Sequence, residues 1–365
     1  MNLPRISVHS QPAFQLGGET VPAGSRRTIN LPITQLYTQT RLHMPVHVVN
    51  GRRPGPRLFV CAAIHGDELN GVEIIRRVLR LKALNGLCGC LVAVPIVNVL
   101  GFISQSRYLA DGRDLNRFFP GAETGSFAST LASLFMKEIV GRSTHGIDLH
   151  TGARHRSNFP QIRISDDDPA AFELAEAFGA PIIIPSSVRD GSLRDAVRVK
   201  KIPLLLYEAG EALRFDEVSI RIGVRGVLNV MRRLGMLKDK RKVGRGKTHP
   251  IRCSSSLWLR APAGGIFRTK VPLGSAVRTG QVLGTVSDPF GENEQEIVAP
   301  KAGHVIGGME KPLVNEGDAL YHIASADEKE LRTVDIIQTV AEMDSDSSQS
   351  ASGETFQSEL SGEPV

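Results

Sequence analysis

Residues 58–64, Leu-Phe-Val-Cys-Ala-Ala-Ile, form an unbroken apolar run that ends on His65-Gly66-Asp67-Glu68. A strand that is apolar at every position needs both of its faces covered, so it belongs inside a sheet with helices on either side. The next segment supplies such a cover. From Glu68 to Leu84, apolar residues recur at 69, 72, 75, 79 and 84, the spacing of one helical face, and the stripe stops at Asn85-Gly86. A second buried strand is read at 91–97. Further along, helices are expected at 127–140, 170–178 and 215–234, and strands at 146–150, 182–184 and 203–207. Strands alternating with helices indicate an α/β domain with a mixed, largely parallel sheet and helices on both faces. Residues 1–50 read as short strands and turns, punctuated by Gly17-Gly18, Pro22-Ala23-Gly24 and Pro54-Gly55-Pro56.

The pattern changes beyond a basic stretch. Residues 257–323 hold short β-type runs separated by Gly and Pro, with an internal near-repeat: Ala261-Pro-Ala-Gly-Gly265 is echoed by Ala299-Pro-Lys-Ala-Gly303. Two similar halves imply a small pseudo-symmetric all-β module, which resembles the biotinyl/lipoyl type of barrel-sandwich. A covalently carried prosthetic group would need a Lys at the hairpin between the halves, and residues 287–296 contain none. From about Met343 the chain is polar and nearly free of aliphatic residues, the composition of a disordered tail.

The formal net charge of +6 averages unlike parts. From Ala326 onward there are ten acidic residues against Lys329 and Arg332, a net −8, so the rest of the chain carries +14. Within it, residues 225–247 hold nine basic residues and one acidic, Asp239. That run lacks interleaved aromatics, so a solvated helix end and linker account for it better than a nucleic-acid site. No apolar run approaches the roughly 18 residues a membrane helix needs, and the first twenty residues lack a signal-peptide core. Four cysteines in 365 residues make no disulfide framework. A soluble, cytoplasmic protein without a membrane or nucleic-acid partner is expected, and the composition allows a homo-oligomer.

Four polar islands carry the chemistry. His65-x-x-Glu68 follows a buried strand at the turn into a helix, where an imidazole and a carboxylate can converge on one cation; zinc suits that pair. Alone, the motif also fits a surface His with a Glu favoured by the helix dipole. Asp148-Leu-His150-Thr-Gly152 ends another short strand, so His150 can reach the same sheet edge or be a satisfied core His. Arg113-Asp114-Leu115-Asn116-Arg117, preceded by Arg107, is either a carboxylate-gripping cluster or a solvated basic loop. Glu208, just past the apolar strand 204–207, sits where burial would raise its pKa toward general-base duty, unless it is simply exposed.

Taken in order, HGDE, DLNR, DLHTG and YEAG resemble the succinylglutamate desuccinylase/aspartoacylase branch of the zinc carboxypeptidase-like hydrolases, over roughly residues 55–325. The resemblance implies one Zn²⁺ per subunit held by His65, Glu68 and His150, with Glu208 as general base. It also implies that Asn116 and Arg117 grip a substrate carboxylate and that Asp114 orients a ligand His. The Arg that polarises the scissile carbonyl is matched by Arg107, followed by Tyr108 as in the family, although the spacing to Asn116 is longer. Arg113 is its rival, and is otherwise a substrate-binding residue. Tyr321 is a candidate for a Tyr role. The chain then divides into an N-terminal β-rich segment packed on the catalytic domain (1–50), a zinc hydrolase domain (51–247), the β module (248–325) and the acidic, mostly disordered tail (326–365).

The function implied is a zinc-dependent deacylase acting on a small anionic N-acyl amino acid or a related carboxylate-bearing substrate. Two alternatives stand beside it. A carboxypeptidase would use the same metal and arginines, but a module packed over the cleft favours smaller substrates. A non-catalytic metal-binding relative is disfavoured by the intact set His65, Glu68, His150 and Glu208.

Overall fold

The computed structural model describes residues 11–165, 167–238 and 250–325. The tail from residue 326 and residues 239–249 of the basic stretch lie outside them. The α/β expectation holds: the molecule is built on one large mixed sheet with helices on both faces, joined by a smaller antiparallel sheet.

A hairpin of β1 (Phe14–Leu16) and β2 (Glu19–Val21) precedes two long strands, β3 (Ser25–Gln35) and β4 (Arg41–Asn50). These last two are longer than the short strands read from the sequence, and they extend the main sheet at its edge. The centre of that sheet is β5 (Arg53–Ala62), β6 (Cys88–Val94), β7 (His145–Gly152) and β10 (Leu204–Glu211), all parallel, in the order β10-β7-β5-β6. From β5 the chain goes first to β6 on one side and then to β7 on the other. Open sheets form their ligand crevice at such a reversal, at the carboxyl ends of the strands.

The two-sided burial inferred from LFVCAAI is seen residue by residue. Leu58, Val60 and Ala62 join one apolar cluster with α1 (Asn70–Arg80), α4 (Pro169–Phe178) and α6 (Glu217–Arg233). Phe59 and Cys61 join a second, on the opposite face, with α3 (Phe127–Glu138) and α5 (Leu193–Val199). In α1 the buried stripe is Ile74, Ile75 and Val78, with Val72 and Leu79 only partly covered; this differs from the 69/72/75/79 phase read from the sequence. The helix also starts two residues later than expected, because Glu68 is used in a turn whose N–H bonds the His65 carbonyl.

Beyond β10 the sheet continues through β8 (Arg156–Ile164), which runs antiparallel to β10 and also pairs with β9 (Ile182–Pro185). Neither β8 nor α5 was read from the sequence. The C-terminal module then adds β11 (Ile251–Arg252), β12 (Ser255–Arg260), β13 (Gly265–Thr269), β14 (Ala276–Val277) and β15 (Val282–Ser287). It is completed by β16 (Gln295–Val298), β17 (Gly303–Met309), β18 (Leu313–Val314) and β19 (Ala319–Ser325). Strands β13, β15, β16 and β18 form the separate sheet. Strands β17, β19 and β12 instead continue the main sheet, because β17 pairs with β8 at Asn158, Ser157 and Arg156. No helix among the described residues is long and apolar enough to cross a membrane.

Candidate metal centre and catalytic cleft

His65 and Glu68 lie in the turn that leaves β5. Ala63, two residues earlier, adopts a left-handed backbone (φ 52°), a conformation costing an ordinary residue about 1 kcal/mol and typical of functional turns. Gly66 is required there for space: a Cβ at this position would come within 2.0 Å of the Gly101 backbone. The turn therefore packs directly on α2 (Val99–Ile103), the short helix that precedes Arg107. His150 comes from β7, and Glu208 is its register partner on β10, so both leave the sheet on one face at the same edge.

His65, Glu68 and His150 converge, with one ligand atom from each lying within 4.8 Å of the others. All three are under 5 % exposed. The Nδ1 atoms of His65 and His150 each stand 2.7 Å from a different oxygen of Glu68. Their Nε2 atoms face other carboxylates, Asp114 at 3.2 Å and Asp148 at 2.9 Å. A proton on each Nε2 answers those two aspartates and leaves both Nδ1 lone pairs aimed at the Glu68 oxygens. Two imidazole lone pairs against a carboxylate are repulsive unless a proton or a metal cation lies among them, and the His–Glu–His donor set fits a metal ion. The titration preferences agree. Burial disfavours the charged form of both imidazoles, yet the carboxylates around them prevail and raise both pKa values, Glu68 and Asp114 for His65, Asp148 and Glu68 for His150. Burial likewise opposes ionisation of Glu68, but the two rings hold it well below the ordinary carboxylate range.

Asp114 ties three parts together. Its Oδ1 accepts from the Asn116 N–H and faces His65, while Oδ2 accepts from Arg107 Nη2 at 3.0 Å. Arg107 is thereby aimed at the ligands, with Nη1 3.2 Å from His65 Nδ1 and 3.4 Å from Glu68 Oε1. Its charge is reinforced: burial works against it, but Glu68 and Asp114 raise its pKa. Glu68 also accepts the Thr151 N–H at 3.1 Å.

His65, Glu68 and His150 line a cleft of about 380 Å³ together with Arg107, Asn116, Arg117 and Glu208. Asn116 presents its amide after its Oδ1 is taken by the Leu193 N–H (2.9 Å), and Arg117 Nη1 donates to the Asn116 carbonyl. Glu208 is half-buried; Asn158 Nδ2 donates to its Oε2 at 2.7 Å, and Arg163 lies 3.8 Å from Oε1. Two candidates fall elsewhere. Arg113 is absent from the cleft lining, because Asp111 Oδ2 holds its guanidinium at 2.5 Å and it lies over the Phe118 ring. Tyr321 is buried in the module core, its hydroxyl donating to the Leu283 carbonyl at 2.6 Å.

Sequence reasoning missed several contributors. Asp148 was within reach, since residues two apart on a strand share a face and His150 was already singled out. Asn158, Arg163, Arg189 and Trp258 carry no motif signal; they enter the cleft through β8, the loop before α5 and the module.

The family model for the succinylglutamate desuccinylase/aspartoacylase catalytic domain matches residues 54–234. A curated relative, the N-alpha-acetyl-L-2,4-diaminobutyric acid deacetylase of Halomonas elongata, is 28% identical over 292 residues, covering 77% of this chain and 85% of its own. A succinylglutamate desuccinylase/aspartoacylase from Rhodobacter sphaeroides superposes with a TM-score of 0.73 at 26% identity, over 82% of this chain and 94% of that one. The product-bound ectoine utilization protein EutE (DoeB) from Ruegeria pomeroyi gives 0.75 at 23% identity, over 89% and 98%, a likeness of fold.

Proposed function

The chain belongs to the succinylglutamate desuccinylase/aspartoacylase family of amidohydrolases, and on that premise we propose that it is a zinc-dependent deacylase acting on an N-acyl amino acid or a related carboxylate-bearing amide. The observation that carries this reading is the buried convergence of His65, Glu68 and His150 in the cleft that also holds Glu208. The His–Glu–His donor set is one found in catalytic zinc sites. A Zn²⁺ held there supplies, when bound, a Lewis acid for the amide oxygen and a field that brings the pKa of water toward about 7.

The remaining work falls to the chain's own groups. Glu208 accepts a proton from the attacking water as its oxygen bonds to the acyl carbon, and returns that proton to the nitrogen as the C–N bond breaks. Asn158 fixes the Glu208 carboxylate for this exchange. Arg107, aimed by Asp114, stabilises negative charge developing on the carbonyl oxygen, a contribution of roughly 3–4 kcal/mol for one well-placed donor. Asn116, with its Nδ2 free to donate after Oδ1 is engaged, and the planar fork of Arg117 hold a substrate carboxylate. The activity of the Halomonas relative on an N-acetylated amino acid supports a substrate of this kind.

The test joins metal analysis to a turnover screen over N-acetyl, N-succinyl and longer N-acyl amino acids. Wild-type protein should carry about one zinc and hydrolyse members of the panel. Glu208→Gln should keep the metal and lose turnover by several orders of magnitude. Near-native turnover in that variant would remove Glu208 from the role of base. A metal-loaded protein inert across the panel would sink the deacylase reading.

A further inference from the structure

The cleft holds more positive charge than one substrate carboxylate needs. Seven arginines line it, with no lysine, against two carboxylates, those of Glu68 and Glu208. Arg107 is matched by Glu68 and Asp114, and Arg163 stands near Glu208. Among the described residues, no carboxylate lies within ion-pair range of Arg117, Arg156, Arg189 or Arg260. Like charges facing one cleft without counter-charge are unfavourable, and each guanidinium offers a fork that matches a carboxylate.

These four fall into two groups on different elements. Arg117 and Arg189 belong to neighbouring loops, joined where the Phe119 N–H donates to the Gly191 carbonyl at 2.9 Å. Arg156 and Arg260 belong to β8 and β12, on the module side. A row of register partners runs between those two strands: Asn158 opposite Gly307, Gly307 opposite His322, His322 opposite Trp258. The row begins at the residue that holds Glu208 and crosses three strand spacings, about 14 Å. At its module end it carries an aromatic stack. The Trp258 indole stacks on His322 (4.5 Å between centroids, 9° between planes), and a Cβ at Gly307 would lie 3.4 Å from the indole edge. Arg156 stands 5.8 Å from the indole centroid, and Arg260 donates to the Gly317 carbonyl at 2.8 Å.

We propose that Arg156 and Arg260, floored by Trp258, form a second carboxylate subsite, and that the substrate is an extended polycarboxylate, an amide belonging to an acidic oligopeptide. A single-carboxylate acyl amino acid is served by Asn116 and Arg117 and leaves the module-side pair unanswered. About four residues of extended chain cover the row from Asn158 to β12, and carboxylates along such a chain meet both arginine groups at once. The inference rests on the proposed deacylase reading for the bond that is cut, but not for binding.

Trp258 is the sole tryptophan of the chain, so its emission reports this subsite directly in the full-length protein. Titration with acetylated tetraglutamate should give a saturable change that weakens steeply with salt. Binding should be at least tenfold tighter than that of N-acetylglutamate, with acetylated tetraglutamine silent. Arg156→Gln and Arg260→Glu, the latter at an exposed position, should each weaken tetraglutamate binding at least tenfold. Equal binding of the single glutamate or of tetraglutamine, or wild-type affinity in both variants, would overturn the subsite. Saturable tetraglutamate binding by a metal-loaded protein that hydrolyses neither the acyl amino acids nor acetylated tetraglutamate would keep the subsite and remove the deacylase reading instead.

Discussion

At the scale of residues, the candidate centre depends on side chains that supply no ligand atom themselves. Asp148 sits two residues before His150 on β7, shares its face, and lies 2.9 Å from His150 Nε2. Replacing it with Asn keeps the shape but removes the charge that makes the ring a good donor. Asp148→Asn should therefore weaken metal affinity by about 10–100-fold, read by competition with a chromophoric chelator. Asp114→Asn should lower kcat as well as metal affinity, because it aims both His65 and Arg107. The three ligand positions and Glu208 stand out in the sequence because each closes or follows an apolar strand, where a polar residue has no packing reason to be. The choice between Arg107 and Arg113 was not legible. Their loop has no periodicity, and only Asp111 and Asp114, each claiming one guanidinium, separate them.

At the scale of elements, the seam between β8 and β17 fixes the surroundings of Glu208, the proposed general base. Gly307 leaves room for Asn158: a Cβ there would stand 3.0 Å from Asn158 Oδ1 and 3.1 Å from His322 Cβ. Gly307→Val should displace Asn158 from Glu208 and lower kcat by at least tenfold with KM less affected, which steady-state kinetics would resolve. Elsewhere, Glu73 on α1 accepts from Arg76 and Arg77, and Arg77 reaches on to Glu217 at the start of α6. The Arg76 hydrogen bond, with Arg77 behind it and burial opposing, lowers the Glu73 pKa to about 2. A depressed carboxylate contributes stability that is complete above its unfolded pKa of about 4.5 and is lost as pH falls through its folded value. Glu73→Gln should thus cost about 1–3 kcal/mol near neutrality, and the gap to wild type in thermal or denaturant unfolding should close between about pH 4.5 and 2. A gap that widened on acidification would contradict this clamp. The longer helices α1, α3, α4 and α6 were readable, α1 with its stripe in a different phase; α5 and β8 were not, and in β8 Arg-Ser-Asn-Phe-Pro-Gln-Ile-Arg-Ile mixes residues for the cleft, the core and the seam.

At the scale of the whole molecule, the metal centre couples to folding. The three buried ligand residues are brought together only in the folded chain, and anything that binds only the folded state stabilises it by mass action. At a hundredfold excess over Kd this is worth about 2.7 kcal/mol, or a rise in Tm of about 4 °C for a chain of this length. Chelation should lower Tm by that amount and zinc should restore it. The broad architecture was legible because alternating strand and helix patterns leave few ways to cover two-sided strands. What was not legible was how the N-terminal strands and the module attach, since β4–β6 and β8–β17 join segments far apart in sequence through backbone bonds that leave no side-chain signature. That attachment carries a mechanical consequence. A sheet running unbroken from β3 to β12 has no internal hinge, so heat should melt the molecule in one calorimetric transition rather than two. Cutting the chain before β11 should bare the backbone of β8 and yield aggregates, not a smaller soluble enzyme.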